Sequence, residues 1–294
     1  MPAAGSEPGW RTFDVGRADD WGVVTVALQG TGGGNAMGGL VWQELPALMA
    51  ALAADHTNRV VVLRGATDCF SIGLDLRWYV PHYRRTVRPG DGLPAVRSKL
   101  LADALAMQAA ITAVSDSPLP VVAAIHGACI GAGLDLVCAC DIRLAAADAV
   151  FSLREVRLGV VADLGSLQRL PRIIGAGHTR ELALTGRDVP AHEARAMGLV
   201  TRVLATPTEL FDAARQTARE IAQHPAHTLA GIKQVLDASL DLPLAAGLRQ
   251  VALWNAAFLP SPELPELLSD ALRAPAPSEP ACEPAMKPSP VTIE

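Results

Sequence analysis

The stretch Ala123-Ala124-Ile125-His126-Gly127-Ala128-Cys129-Ile130-Gly131-Ala132-Gly133-Leu134-Asp135-Leu136-Val137-Cys138-Ala139-Cys140-Asp141-Ile142-Arg143 decides the fold class. An apolar strand runs into a glycine-rich turn, an apolar helix starts at once behind it, and Asp135 opens that helix. Towards the N-terminus the β-branched run Val60-Val61-Val62-Leu63 is followed by Asp68-Cys69-Phe70-Ser71-Ile72-Gly73-Leu74-Asp75-Leu76, so a second small-residue turn caps a second strand. Gly22-Val23-Val24-Thr25-Val26-Ala27-Leu28 reads as a further strand. Residues 41–53 read as an amphipathic helix, with Trp42, Leu45, Leu48, Met49 and Leu52 at helical spacing. Short strands are expected at 142–145 and 150–153. Strand followed by helix, repeated with parallel-type connections, is the pattern of an α/β protein.

Between residues 77 and 99 the pattern breaks up, with Pro81, Pro89, Pro94 and several arginines, and a helix is expected to resume over 100–114. Beyond Leu170 the chain turns helical, with helices expected at 179–184, 191–197, 207–223, 226–238, 242–255 and 264–271. Residues 275–294 are dense in Pro, Ser, Ala and Glu, a composition that buries too little apolar area to offset the entropy of ordering, and are expected to be disordered. The organisation predicted is a flexible N-terminus (1–15), a core (16–200), a helical region (201–273) and a Pro-rich tail (274–294).

Half of the 294 residues are hydrophobic, enough to build a full core and to exclude disorder throughout. A net charge of -5 gives no general attraction to nucleic acid or to an anionic membrane, and no apolar run is long enough to span a bilayer. The start of the chain has neither the basic nor the apolar segment of a signal peptide, and the expectation is a soluble cytoplasmic protein. Of five cysteines, four (Cys69, Cys129, Cys138, Cys140) lie in apolar or glycine-rich runs, which suits reduced core thiols. Cys138-Ala139-Cys140 resembles half a metal site, but no Cys/His pair at ligand spacing completes it, so no metal is expected.

Neither Gly30-Thr31-Gly32-Gly33-Gly34 nor the turn at Gly127 to Gly133 has the ending of a P-loop or the spacing of a dinucleotide fingerprint. Two other uses of the glycines remain open. They allow tight strand-to-helix packing, or they let a ligand approach the main chain, so that amides from Ser71-Ile72-Gly73-Leu74-Asp75 and Gly131-Ala132-Gly133 converge on one carbonyl oxygen. In Gly159-Val160-Val161-Ala162-Asp163-Leu164-Gly165-Ser166-Leu167-Gln168-Arg169-Leu170-Pro171 an acid stands eight residues after Glu155 in apolar, glycine-bounded sequence. Burial raises a carboxyl pKa, so Glu155 and Asp163 are candidates for giving and taking protons; the plain alternative is an exposed acid on a loop. Asp135 reads equally as an acid at a helix N-terminus. His126 has no acid spaced to orient it and is read as a packed histidine. Arg77, Arg84, Arg85 and Arg88 meet either phosphates or solvent, and Trp78 and Tyr79 line either an acyl pocket or the core.

The two turns, the acid positions and the segment Leu184-Thr185-Gly186-Arg187-Asp188 with Ala194-Arg195-Ala196-Met197-Gly198-Leu199-Val200 together resemble the crotonase (enoyl-CoA hydratase/isomerase) family over residues 23–272. The resemblance implies a crotonase (ClpP/crotonase-like) fold of stacked ββα units with a C-terminal helical trimerisation region, assembled as a homotrimer or homohexamer. It implies an acyl-CoA thioester substrate, with coenzyme A part of the substrate and no separate cofactor, and an oxyanion hole formed by the amides of Leu74 and Ala132. The hydratases of the family use two glutamates, at the positions of Asp135 and Glu155; here the first is an aspartate and Asp163 is added. The set Asp135, Glu155 and Asp163 resembles instead the family's Δ3,5-Δ2,4-dienoyl-CoA isomerases, and implies Glu155 as base at C2 and Asp163 as acid at C6. An enoyl-CoA hydratase and a non-catalytic binding protein on the same fold are the alternatives.

Overall fold

The β-branched runs of the sequence form the middle of a sheet in this computed structural model, which describes residues 9–273 apart from Pro89 and Asp91. The expected disordered tail and the first eight residues of the expected flexible N-terminus lie outside the described residues. The described strands are β1 (Phe13–Val15), β2 (Val23–Leu28), β3 (Val60–Gly65), β4 (Val121–Ile125), β5 (Ala128–Ile130), β6 (Ile142–Ala146), β7 (Val150–Ser152), β8 (Asp188–Pro190) and β9 (Arg202–Leu204). Six of them make one sheet in the order β1-β2-β3-β4-β6-β9, and β5-β7-β8 make a second. In the large sheet β1 is antiparallel to β2 and every other pair is parallel, with Val26 opposite Leu63, Leu63 opposite Ala123 and Ala124 opposite Leu144.

The large sheet is covered on both faces, and that accounts for its unbroken Val, Leu and Ala strands. Val61, Leu63, Val121, Ala123, Ile125 and Ala145 face the main core, with α1 (Gly39–Ala54) and α3 (Leu93–Ser115) packed there. On the other face Val60, Val62, Val122, Ala124, Leu144 and Ala146 meet Leu210, Ala214, Ala218 and Ala222 of α8 (Pro207–Ala222). The four-residue spacing of those alanines gives α8 a flat stripe.

Three expectations are corrected. Residues 77–99 are not irregular: α2 (Leu76–Thr86) occupies their first half although Pro81 lies inside it, and α3 begins at Leu93 with a proline in its first turn, where no intrahelical N–H is needed. The N-terminus is fixed from Phe13, which is buried and whose strand pairs with β2. The sheet does not end at residue 200, because β9 pairs with β6 and α8 covers it. The remaining helices are α4 (Ala132–Cys138), α5 (Ser166–Ile173), α6 (Gly175–Thr185), α7 (Ala191–Ala196), α9 (Ala226–Ser239), α10 (Leu244–Phe258) and α11 (Leu264–Arg273). The chain divides into two compact units between Leu242 and Pro243; the second contains α10 and α11, neither of which buries a side chain. No helix among the described residues is long and apolar enough to cross a membrane.

Candidate active site

The two glycine turns meet because the strands that feed them are neighbours. β3 pairs with β4, and past their ends Phe70 N donates to His126 O (2.8 Å), Ser71 N to Ala128 O (2.9 Å) and Ile130 N to Ser71 O (3.0 Å). Gly73 has φ +89°, and a Cβ there would stand 2.6 Å from Ile130 O and 3.2 Å from Ala132 N. The first turn thus presses on the start of α4. Met37 N donates to Gly73 O (2.8 Å) and Asp75 N to Met37 O (3.0 Å), which leaves the intervening Leu74 amide pointing away from Met37. Ala132 N is the first amide of α4, where a helix supplies no acceptor. Neither amide donates to a backbone carbonyl among the described residues, and both stand free to bind an oxygen.

The neighbouring residues of both turns hold the shape. Ser71 is buried, donates to Asn35 O (2.8 Å) and accepts from Gly73 N (3.1 Å). Asp75 caps α2 through the amides of Arg77 and Trp78, and its Oδ2 accepts from the Thr31 hydroxyl. Burial acts to raise the Asp75 carboxyl, but the Thr31 hydroxyl and those amides outweigh it and hold it below the usual range. Ile72 is exposed, and its amide donates to Gly34 O (2.9 Å). A Cβ on Gly133 would lie 3.0 Å from Ser71 Cβ, so tight packing and amide exposure are both uses of these glycines.

The three acids come together behind this pair of amides. Glu155 lies in a single 3-10 turn (Glu155–Leu158), and its Oε1 is aimed at the second turn: a Cβ on Gly131, whose φ is +53°, would stand 3.1 Å from it. Oε2 is buried with no hydrogen-bond partner among the described residues. Burial raises the Glu155 carboxyl and the Asp163 charge adds to it, against its own backbone amide. Asp163 sits on the loop before α5 with an exposed side chain, yet the protein packed around its carboxyl still raises it, against its own amide. Its carbonyl accepts from Gln108 Nε2 of α3 (2.6 Å), which fastens the loop.

Asp135 is 1% exposed and lies on the fourth residue of α4. It does not cap its own helix; Oδ1 accepts from Ser166 N at the start of α5 (2.5 Å). Its Oδ2 and the Ser166 hydroxyl are both buried without a partner among the described residues. Burial pushes this carboxyl up to about 7, opposed by the nearby Ser166 hydroxyl and amide and reinforced by the charges of Glu155 and Asp163. Burial thus raises all three acids, the Asp163 charge makes the other two harder to ionise, and the Glu155 charge adds to this at Asp135.

His126 is buried, with Nε2 2.7 Å from Thr67 O and its ring edge-on to Phe211, the packed role expected of it. Trp78 packs against the main core and stacks on His82, while Tyr79 lies within the field of the Asp163 and Asp103 charges, which raise its phenol after burial has done so. Arg77, Arg84 and Arg85 lie on α2, and Arg88 Nε donates to Arg85 O (3.0 Å). Among the described residues no cluster of His, Cys, Asp or Glu has metal-site geometry. Gln108 and Ser166 were not visible as site residues, since both act through contacts 55 and 31 residues away.

A profile of the enoyl-CoA hydratase/isomerase family matches residues 19–257. The chain belongs to this family. Its curated relatives include the peroxisomal Delta(3,5)-Delta(2,4)-dienoyl-CoA isomerase of Arabidopsis thaliana, 40% identical over 226 residues that cover 77% of this chain and 81% of the relative. The mitochondrial enzyme of the same name from Homo sapiens is 37% identical over 244 residues, 82% of this chain and 74% of its own. Among solved structures, an enoyl-CoA hydratase from Bacillus anthracis superposes with a TM-score of 0.79 at 28% identity, covering 90% of this chain and 96% of the other. The α/β architecture is therefore the crotonase fold, as the sequence resemblance implied.

Proposed function

We propose that this crotonase-family chain is a Δ3,5-Δ2,4-dienoyl-CoA isomerase. The observation that carries the reading is the acid set: Glu155 Oε1 is aimed at the second glycine turn within the field of the Asp163 charge, while Asp135 is engaged by Ser166. In this mechanism the thioester oxygen accepts from Leu74 N and Ala132 N. Glu155 removes a proton from C2, and the electron pair spreads through the two double bonds to C6 while the two amides hold the charge that collects on oxygen. Asp163, whose carboxyl is raised by the protein packed around it, delivers a proton to C6, and the 3,5-diene becomes the 2,4-diene. The proton left on Glu155 and the one lost from Asp163 exchange with solvent, so the reaction is balanced. Asp135 is a positioning residue: it fixes the first amide of α5 and with it the loop that carries Asp163. An Asp135 held in this way is poorly placed to orient the water that a hydratase needs.

The chemistry requires no metal or redox group, since backbone amides take the charge. The substrate class is an acyl-CoA thioester, and the assembly we propose is a homotrimer or homohexamer, to be read by light scattering. The four described cysteines are free thiols, which suits a reducing compartment such as the cytoplasm. The deciding experiment is an ultraviolet assay of purified protein with 3,5-dienoyl-CoA and, separately, 2-enoyl-CoA. Conjugated 2,4-dienoyl product should accumulate, and Glu155→Gln and Asp163→Asn should each lower turnover by about 10² to 10⁴. Faster hydration of the enoyl substrate, with both rates unchanged in Asp163→Asn, would replace this reading by the hydratase.

A further inference from the structure

Glu155 has a demanding position on a weak element. One turn of 3-10 helix has poor hydrogen-bond geometry, and of its four residues Glu155 is half-buried and the other three are exposed. Something outside it must hold Glu155 Oε1 over Gly131. The segment Leu184 to Asp188, conspicuous in the sequence and unused by the mechanism, lies directly behind it. Asp188 accepts from Arg154 through both oxygens, Nε to Oδ1 at 3.2 Å and Nη2 to Oδ2 at 2.8 Å, and from Arg157 Nη2 at 3.3 Å. Arg154 and Arg157 bracket Glu155 in the chain, so a single carboxylate on β8 grips the turn on either side of it.

The rest of the segment brings Asp188 close enough to do this. A Cβ on Gly186 would stand 2.8 Å from Val156 Cγ1 and 3.3 Å from Leu153 O, so only glycine lets the two chains meet. Ser152 donates to the carbonyls of Gly186 and Arg187 (3.1 Å each), tying β7 to the same place, and Ser152 lies opposite Asp188 in the sheet. Arg187 is held in turn by Glu181 (2.8 Å) and Glu193 (2.5 Å).

We propose that Asp188 is a positioning residue for Glu155, acting through Arg154 and Arg157 to hold the turn in register with the second glycine turn. Arg154, Arg157 and Asp188 are all partly exposed, where water screens an ion pair and its share of stability is small, so the main effect belongs in turnover. The inference rests on Glu155 being the base at C2. Its second function is electrostatic: while Asp188 occupies the two guanidinium groups, they are not available to pair with Glu155 and quench it.

The test is a double-mutant cycle on 3,5-dienoyl-CoA isomerisation with Asp188→Asn, Glu155→Gln and the pair. Asp188→Asn should lower kcat by about 10-fold, with KM within twofold and the melting temperature little changed. In the Glu155→Gln background the same substitution should change the residual rate less than twofold, because its only route to the chemistry is gone. Equal losses in both backgrounds, or a normal kcat in folded Asp188→Asn, overturn the proposal. Normal turnover of Glu155→Gln overturns instead the assignment of the base, so the two failures are distinguishable. Should Asp188→Asn not fold, Arg154→Gln and Arg157→Gln remove the same bonds one side at a time and carry the same cycle.

Discussion

Replacing Gly73 by alanine tests whether the contact between the two glycine turns sets the amide pair. The added Cβ would stand 2.6 Å from Ile130 O, while ordinary contact begins at 3.4 Å, so the turns must separate by about 0.8 Å or the backbone of Gly73 must rotate. Its φ of +89° adds strain on the order of 1–3 kcal/mol for any L side chain. Leu74 N and Ala132 N ride on the two segments being pushed apart, and a misplacement near 1 Å in a catalytic constellation costs roughly 10²-fold. Removing one oxyanion donor costs about 10² to 10³ in kcat, the same range by an independent route. The measurement is kcat for diene isomerisation beside a thermal melt, with Gly175→Ala as control. Gly175 has φ +79° and nothing within 4 Å of a Cβ, so it carries the backbone strain without the contact. Gly73→Ala should lose about 100-fold in kcat and Gly175→Ala less than threefold, and Gly73→Ala should melt lower because it carries the contact as well as the strain. A Gly73→Ala enzyme that folds and turns over within threefold of wild type would refute the oxyanion geometry.

Asp135 predicts a pH dependence of stability. Its carboxyl is held at about 7 against 3.8 in an unstructured chain, so the native state binds the extra proton between those values and stability falls as pH rises from about 4 to 7, then levels. At about 1.4 kcal/mol per pKa unit the slope integrates to something on the order of 4 kcal/mol, and urea melts of Asp135→Asn should lack that share. Lys233, 8% exposed, donates to Leu119 O (3.0 Å) and pairs with Asp141 (2.8 Å); Lys233→Met should cost about 1–3 kcal/mol in the same assay by taking the donor from Leu119 O and the counter-charge from Asp141, whose Oδ2 keeps the Val121 amide (2.7 Å). Burial pushes the Cys138 and Cys140 thiols up to about 12, so thiol alkylation mapped by mass spectrometry at pH 8 should spare both in native protein and label both after denaturation.

What the sequence disclosed follows the range of the forces involved. The Val60 to Leu63 run and the 3.6-residue spacing of Trp42, Leu45, Leu48 and Met49 are local signals, and β3 and α1 lie where they point. The helix α2 was hidden because Pro81 and the arginines speak against a helix, while the feature that starts it, the Asp75 cap, is one side chain bonded to two amides. The strands β1, β5, β8 and β9 are three residues each and exist through pairing with distant segments, so no period could announce them. In the site, Glu155 and Asp163 were legible as acids in apolar sequence. The engagement of Asp135 by Ser166 was not, because it joins two helix starts across the core.

The place of β9 at the edge of the large sheet has a bearing on how the protein is made. Arg202 lies 56 residues beyond Ala146, the last residue of the strand it pairs with, and α8, which covers one face of the sheet, comes later still. During synthesis at about 5–20 residues per second, β6 is exposed for roughly 3–11 s as an unpaired edge of Ile, Arg, Leu and Ala before its neighbour leaves the ribosome. Such an edge is a template for a strand of another nascent chain. Slow codons or low temperature within that interval should therefore lower the soluble yield, and a chaperone that shields unpaired strands should restore it, although neither touches the stability of the finished fold.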